Sequence, residues 1–267
     1  MSNKRLETAL SKQEKLFIPF ITAGDPSGEA TIDIALSLQE AGASILELGI
    51  PYSDPLADGP VIQAASKRAL AGGMTLTKAL ELVPVMRERG LEIPVIIFTY
   101  VNPLLQYGLK RFTEEAASFG VDGILVPDLP YEESDELSSY CEEEDLALIS
   151  LVAPTSKERI EKIANRAQGF LYCVSSLGVT GVREELDPRI STFMDTVRSA
   201  SRIPIAVGFG ISTRTQVQTV NELADGVVVG SALVRQIEEQ AEALKSPQQK
   251  EVALQRIKSF VKDLISE

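Results

Sequence analysis

Short apolar runs alternate with longer amphipathic ones along the chain. Eight of the short runs are nearly continuous in hydrophobic residues, as expected of parallel strands buried on both faces. They lie at residues 17–21, 45–50, 95–100, 123–127, 147–152, 170–174, 205–208 and 226–230. Because the intervening segments are too long for hairpins, successive strands are predicted to be joined by right-handed crossovers in a parallel sheet.

Patterns of helical period occupy the connections. They lie at residues 29–41, 61–70 with 77–88, 109–119, 133–143, 157–166, 190–200, 213–222 and 232–243, and a last one runs to about residue 265. Eight such units in 267 residues predict one (β/α)8 TIM-barrel domain over residues 1–267, with extra N- and C-terminal helices. A doubly wound open sheet has the same alternation, so periodicity alone does not separate the two folds.

A weak internal repeat favours a fold built from repeated units. Residues 121–126 read VDGILV and residues 224–229 read ADGVVV. Chance similarity between two buried strands explains the likeness equally well, so the repeat does not decide between the two folds.

The charge balance narrows the class of partner. The chain has 26 Lys and Arg and 38 Asp and Glu, which gives a formal net charge of −12. This excess of negative charge argues against nucleic acid or an anionic membrane as a partner. No apolar run approaches the roughly 20 residues that span a bilayer, and the first residues lack the apolar core of a secretory signal. A cytoplasmic protein is therefore expected, with Cys141 and Cys173 as reduced thiols.

The absence of histidine excludes several kinds of catalysis. A Ser-His-Asp or Cys-His system, a histidine-ligated zinc and an imidazole acid or base all need a residue that this chain lacks. No metal site is predicted. None of the eight predicted strands carries Lys or Arg, which argues against an amine catalyst on a barrel strand. Catalysis is therefore expected to depend on carboxylates, Tyr, Lys, Cys or the backbone.

Two carboxylates stand out at the second predicted strand. Glu47 interrupts that strand's apolar run and is predicted to face the barrel interior or its mouth, either as a catalyst or as one half of a buried ion pair. Asp54 and Asp58 follow in a proline-rich loop. A rigid turn in which Asp58 caps the helix before Pro60 is one interpretation; two-carboxylate acid–base chemistry with Glu47 is the other.

Glycines after the last two strands indicate a phosphate site. Residues 208–212 read GFGIS and residues 230–232 read GSA, and both segments are predicted to open helices. Backbone N–H groups of the loops after strands seven and eight commonly bind phosphate in (β/α)8 barrels. Tight turns are the structural alternative. The long segment 175–188 is predicted to be either an active-site lid or a surface loop.

Five motifs together resemble one family. They are PFITAGDP at residues 19–26, LELGIPYSDPLADGP at 46–60, PDLP at 127–130, GVTG at 178–181 and GFGIS at 208–212. They occur in the order found in the tryptophan synthase α-subunit family. That resemblance implies a TIM-barrel carbon–carbon lyase of tryptophan biosynthesis that cleaves indole-3-glycerol phosphate to indole and glyceraldehyde 3-phosphate. It also implies an α2β2 complex with a β subunit that carries pyridoxal phosphate, and no cofactor on this chain.

The resemblance also assigns site residues. Glu47 and Asp58 become the catalytic carboxylates. The chemistry of a retro-aldol cleavage without amine or metal agrees with this assignment: Glu47 can protonate indole C3 and act as base toward the glycerol hydroxyl, and Asp58 can accept the indole N–H. The remaining assignments are Phe20, Ile62, Tyr100, Leu125 and Phe209 in the indole pocket, Tyr172 beside the substrate, Gly210, Gly230 and Ser231 at the phosphate, and Thr180 in the lid. Two departures concern loops: Tyr52 stands where many members have Phe, and Ser176-Leu177 where some have Arg-Ser.

Three other functions stay open at this point. Another phosphate-binding barrel enzyme, such as a sugar-phosphate epimerase or indole-glycerol-phosphate synthase, would be expected to show lysine, histidine or metal ligands on its strands. A stand-alone indole-3-glycerol-phosphate lyase would turn over rapidly without a partner. A non-enzymatic activating partner is disfavoured because both carboxylates are present.

Overall fold

A parallel sheet forms the centre of the protein. The computed structural model describes residues 2–12, 15–174, 189–208 and 210–266. The strands in these ranges are β1 (Leu16–Thr22), β2 (Leu46–Gly49), β3 (Val95–Phe98), β4 (Gly123–Leu125), β5 (Ala147–Ile149), β6 (Leu151–Val152), β7 (Leu171–Val174), β8 (Ile205–Gly208) and β9 (Gly226–Val229). Their order in the sheet is β5-β4-β3-β2-β1-β9-β8-β7-β6.

The sheet closes into a barrel because its two end strands, β5 and β6, are consecutive in the chain and are separated only by Ser150. β5 pairs with β4, with Ile149 opposite Leu125, while β6 pairs with β7, with Leu151 opposite Tyr172. The two ends of the sheet order are thus consecutive pieces of the predicted fifth strand. The predicted TIM barrel is confirmed, and a doubly wound open sheet is not what the described residues form.

Helices surround the barrel. They are α1 (Ser2–Lys12), α2 (Gly28–Ala41), α3 (Pro60–Ala71), α4 (Leu76–Glu88), α5 (Val101–Tyr107), α6 (Leu109–Ser118), α7 (Asp135–Glu143), α8 (Lys157–Arg166), α9 (Arg189–Ala200), α10 (Arg214–Leu223), α11 (Ser231–Glu239), α12 (Ala241–Lys245) and α13 (Lys250–Ile265). Among these, α1 differs from the others in that its Leu6 packs with the residues of the barrel interior. The extra helices α1 and α13 at the two ends were predicted, whereas α5 was not. The predicted helix 232–243 is divided between α11 and α12.

The core has two layers, set by the alternation of side chains along each strand. Ile96 of β3 packs inside the barrel with residues such as Ile18 and Leu125. Its neighbours Val95 and Ile97 belong to the outer layer between the sheet and the helices. Continuous apolar runs are required because both faces of each strand are buried.

Asp122 ties the start of β4 to two helices. Its carboxylate is fully buried and accepts hydrogen bonds from Arg5 Nε of α1 at 2.9 Å, from Arg87 Nη2 of α4 at 2.7 Å and from the Val95 N–H at 2.9 Å. This network joins α1 and α4 to the starts of β3 and β4, at the amino-terminal ends of the strands.

The two members of the internal repeat have the same hydrogen bonds. The Asp122 N–H donates to the Val95 carbonyl at 2.9 Å while Asp122 Oδ2 accepts the Val95 N–H. At the second repeat the Asp225 N–H donates to the Ile205 carbonyl at 2.9 Å, and Asp225 Oδ2 accepts the Ile205 N–H at 2.8 Å. In both repeats, therefore, an aspartate joins the start of its own strand to the start of the preceding one.

Within the described ranges no single helix is long and apolar enough to cross a membrane. The consecutive helices α3 and α4 meet the length and composition criteria only when taken together, and they bend by 92° at the break between them.

Candidate active site

A cavity of about 160 Å³ opens at the carboxyl ends of the strands. This is the end of a TIM barrel at which active sites lie. The described residues that line it are Phe20, Glu47, Ala57, Asp58, Ile62, Phe98, Pro127, Leu151, Tyr172, Val174, Gly208, Gly210, Val228, Gly230 and Ser231.

Glu47 is a buried carboxyl group without compensation. It lies on β2 between Phe20 of β1 and Ile96 of β3, and its exposed fraction is 1%. Its Oε1 has no hydrogen-bond partner, and no ion pair reaches it within the described ranges. Burial disfavours the charged form and raises the pKa of Glu47 to about 8. The ion-pair interpretation thus finds no partner in the part of the chain that the structure describes.

Asp58 faces the same cavity from the loop after β2. The cap of α3 is Gly59, and Pro60 is its first residue, so the interpretation of Asp58 as the helix cap is wrong. With Gly59 in the cap position, Asp58 lies one residue before the cap, and it lines the cavity. Burial raises the pKa of Asp58 to about 6, and a hydrogen bond from Tyr100 acts in the opposite direction. The main-chain carbonyl of Asp58 accepts a bond from Gln63 Nε2 at 2.8 Å.

Tyr172 places a phenol beside the first carboxyl group. Burial and then the charge of Glu47 raise the pKa of Tyr172 above its ordinary value, so the phenol stays protonated. A Cβ atom at Gly208 would lie only 2.5 Å from the Tyr172 hydroxyl. The last residue of β8 therefore has to be glycine for the tyrosine to occupy this position.

The helix that starts at Ser231 presents its first turn to the cavity. Its cap is Gly230, which has no side-chain capping bond, so the N–H groups of the first turn have no side-chain acceptor from the cap. The neighbouring helix α10 differs, because Thr213 and Gln216 form a reciprocal capping box at its start. Gly210 has φ of +61°, a conformation that favours glycine.

The structure brings most of the predicted site residues together. Glu47 and Asp58 share the cavity wall with six of the predicted binding residues, namely Phe20, Ile62, Tyr172, Gly210, Gly230 and Ser231. Two others, Tyr100 and Leu125, are fully buried and are not among the described lining residues. Leu125 packs in the barrel interior, below the cavity. Thr180 and Phe209 lie outside the described residues. Substrate contact by any of these residues remains a prediction.

Sequence reasoning missed several wall residues. Phe98 lines the cavity and packs edge-on against Phe20, with ring centroids 5.4 Å apart. Strand alternation could have identified it, because it is two residues from the inward-facing Ile96. No sequence pattern identifies Leu151 in the same way, because its place in the cavity wall depends on the break between β5 and β6 at Ser150.

A second cavity of about 380 Å³ adjoins the first and shares Ala57, Pro127, Leu151 and Val174 with it. It extends along the carboxyl ends of β4 to β6. Together the two spaces reach the range of volumes usual for small-molecule sites.

The comparisons with known proteins agree with one another. A sequence model of the family described as tryptophan synthase alpha chain matches residues 6–264. The tryptophan synthase alpha chains of Halalkalibacterium halodurans and Geobacillus stearothermophilus are 64% and 58% identical to this chain. The first alignment covers 98% of this chain and 99% of the relative, and the second covers 96% and 95%.

Two solved structures show the same similarity in three dimensions. A chain of the tryptophan synthase a2b2 complex of Pyrococcus furiosus superposes with a TM-score of 0.85 at 38% identity, covering 94% of this chain and 98% of that one. Tryptophan synthase subunit alpha of Legionella pneumophila gives 0.84 at 40% identity, covering 97% of each chain. On both sequence and structure, the chain belongs to the tryptophan synthase alpha chain family.

Proposed function

We propose that this chain catalyses the retro-aldol cleavage of indole-3-glycerol phosphate to indole and glyceraldehyde 3-phosphate, the α reaction of tryptophan biosynthesis. The observation that carries the proposal is the pair Glu47 and Asp58, two carboxyl groups of raised pKa on one cavity. Family membership supports the same reaction.

The cleavage needs an acid at indole C3 and a base at the glycerol hydroxyl next to the breaking bond. Glu47 donates its proton to C3, which makes the ring a leaving group. The carboxylate that results then takes the hydroxyl proton, the carbon–carbon bond breaks, and its electron pair returns to the indole ring as the aldehyde forms. Glu47 ends the cycle protonated, so no other proton source is required.

The shifted pKa values suit these roles. With a pKa of about 8, Glu47 is mostly protonated at neutral pH and can begin as the acid. With a pKa of about 6, Asp58 is mostly ionised and can accept the indole N–H, which stabilises positive charge on the protonated ring. The expected pH profile is therefore a bell between these two values.

The phosphate group is assigned to the start of α11. A helix N-terminus with free N–H groups attracts an anion without any lysine, which suits a chain of formal charge −12. Ser231→Asp tests this, since an aspartate in the first turn favours the helix but repels phosphate. We expect Ser231→Asp to weaken glycerol phosphate binding by about 100-fold and the uncharged control Ser231→Asn to weaken it far less. Equal binding by both variants would place the phosphate elsewhere.

A β subunit is the proposed partner. The related Pyrococcus furiosus protein is an a2b2 complex in which the subunits activate each other. In this chain Leu56, on the loop that carries Asp58, is 83% exposed, and Leu105 of α5 is also exposed. Exposed apolar side chains next to an active-site loop suit a docking partner. Pyridoxal phosphate on that partner, and a cytoplasmic location, remain predictions.

The test is to mix the purified chain with indole-3-glycerol phosphate and follow indole release, with and without a cognate β subunit. Slow release that rises on complex formation supports the proposal. Rapid release by the isolated chain, with no further rise, would indicate a stand-alone lyase. Release that depends on neither Glu47 nor Asp58 would overturn the assigned mechanism.

A further inference from the structure

Tyr100 lies behind the cavity wall. Its exposed fraction is 1%, and it is not among the described residues that line the cavity. Its ring packs against Phe98 with centroids 6.3 Å apart and against Tyr52 with centroids 5.4 Å apart. Phe98 is the member of this stack that reaches the cavity. The geometry therefore favours a role for Tyr100 other than direct contact with the indole ring.

The hydroxyl of Tyr100 joins two successive residues of the loop after β2. The Ala57 N–H donates to this hydroxyl at 3.2 Å, and the hydroxyl hydrogen-bonds the Asp58 carboxylate. A phenol has one proton to donate. Because it accepts from Ala57, it can direct that proton to Asp58, so a single oxygen holds both the loop backbone and its carboxylate.

Rigid backbone aims this hydroxyl. Tyr100 is the cap residue of α5 and lies two residues after the end of β3. The Thr99 N–H donates to the Leu125 carbonyl at 3.1 Å, and the Val101 N–H donates to Asp128 Oδ1 at 2.9 Å. The loop that the hydroxyl holds is, in contrast, exposed at Leu56. A fixed strand–helix junction thus holds an exposed loop.

The charges around the hydroxyl keep it a donor. Burial and then Asp58 raise the pKa of Tyr100 above its ordinary value, and Asp128 acts in the same direction. Glu47 lies on the same cavity as Asp58 but is not among the groups that act on Tyr100. The phenol therefore stays protonated across the pH range in which Asp58 titrates.

We propose that Tyr100 is a positioning residue, whose hydroxyl fixes the loop through the Ala57 N–H and orients the Asp58 carboxylate toward the cavity. The inference rests on the proposed function only in the role it gives to Asp58. The contacts themselves do not depend on which substrate binds.

The first test measures Asp58 directly. The Asp58 carboxyl carbon is titrated by NMR in the parent, in Tyr100→Phe and in the matched control Tyr52→Phe. Both variants keep their rings, and the Tyr52 hydroxyl accepts a bond from Asn102 Nδ2 at 2.9 Å instead of contacting Asp58. Since the Tyr100 hydroxyl favours the ionised form, Tyr100→Phe should raise the pKa of Asp58 by roughly one unit. Tyr52→Phe should leave it unchanged.

The second test asks whether Tyr100 acts through Asp58. On the parent, Tyr100→Phe should lower kcat/KM for indole-3-glycerol phosphate by about ten-fold. In an Asp58→Asn background the same substitution should cost less than about two-fold, because the group it orients is already lost.

The two tests can overturn the inference independently of the reaction. Equal losses in both backgrounds would make Tyr100 a direct substrate contact, and an unshifted Asp58 pKa in Tyr100→Phe would also contradict the proposal. If the parent released no indole under any condition, the proposed function would fall, whereas the NMR titration would still decide the role of Tyr100.

Discussion

Two acids in this barrel, Glu47 and Asp122, are equally buried but differ in whether hydrogen bonds and ion pairs compensate that burial. Asp122 precedes β4 and has both oxygens bonded, to Arg5, Arg87 and the Val95 N–H. Glu47 lies on β2 and leaves Oε1 without a partner among the described residues. A buried polar group is normally satisfied, so the uncompensated acid is the one to which a catalytic role is assigned. Asp122, whose charge is compensated, is assigned a role in stabilising the fold.

The largest expected effect comes from Glu47→Gln. Turnover should fall by about 10²–10⁴-fold, because the amide has nearly the same shape but cannot transfer a proton. The free energy of unfolding at pH 7 should rise by about 1–3 kcal/mol, since the amide removes the cost of keeping a buried acid protonated. Indole release and urea unfolding measure the two effects. A variant that kept near-parent turnover would remove Glu47 from the mechanism.

Asp122→Asn should show the opposite pattern. It leaves the largely buried Arg87 without its counter-ion while keeping an acceptor for the Val95 N–H, and we expect a loss of about 3 kcal/mol in unfolding free energy. Turnover per folded molecule should stay near that of the parent. A large loss of kcat without a loss of stability would contradict the division of roles between the two acids.

The pH dependence of stability isolates Glu47 without changing the fold. Its folded-state pKa of about 8 lies above the ordinary value of 4.5, so between these values the folded chain binds a proton that the unfolded chain does not. Its contribution to stability is therefore complete below pH 4.5 and is lost as the pH rises through 8, by at most about 1.4 kcal/mol per pH unit. Urea unfolding between pH 5 and 9 should show this slope in the parent and lack it in Glu47→Gln. Parallel curves would mean that Glu47 is already ionised.

The smallest effect is expected at the second repeat. Asp225 accepts the Ile205 N–H as Asp122 accepts that of Val95, but it is exposed and has no ion pair among the described residues. Asp225→Asn should cost about 0.5–1 kcal/mol of unfolding free energy, well below Asp122→Asn. Equal losses at the two positions would show that the shared backbone bond, rather than the arginines, carries the stability at Asp122.

Local patterns were enough to predict most of the fold. A strand buried on both faces is apolar throughout, so the eight predicted strands of the barrel could be identified from the sequence. The break at Ser150 could not, because it depends on which neighbour each half of the strand meets. Helix α5 was missed because its 7 residues, with Pro103 in the first turn, are too few to show a helical period.

The candidate site was predictable to a different extent. Glu47 was identifiable because a lone acid in an apolar strand is unusual. Asp58 was ambiguous, since Asp and Gly both cap helices, and only the structure shows that Gly59 takes that place. The burial of Tyr100 and Leu125 behind the wall depends on packing between strands, for which the sequence carries no local signal.

The sheet order has a consequence for how the chain is made. β1 to β5 pair in chain order, so this half of the barrel can form while synthesis continues. The other edge of β1 is paired by β9, and until residues 226–229 emerge that edge of a highly apolar strand has no partner. Pairings so distant in sequence are slow to form, because the loop between them must be closed first. We therefore expect the nascent chain to be most prone to aggregation just before its last strand is added.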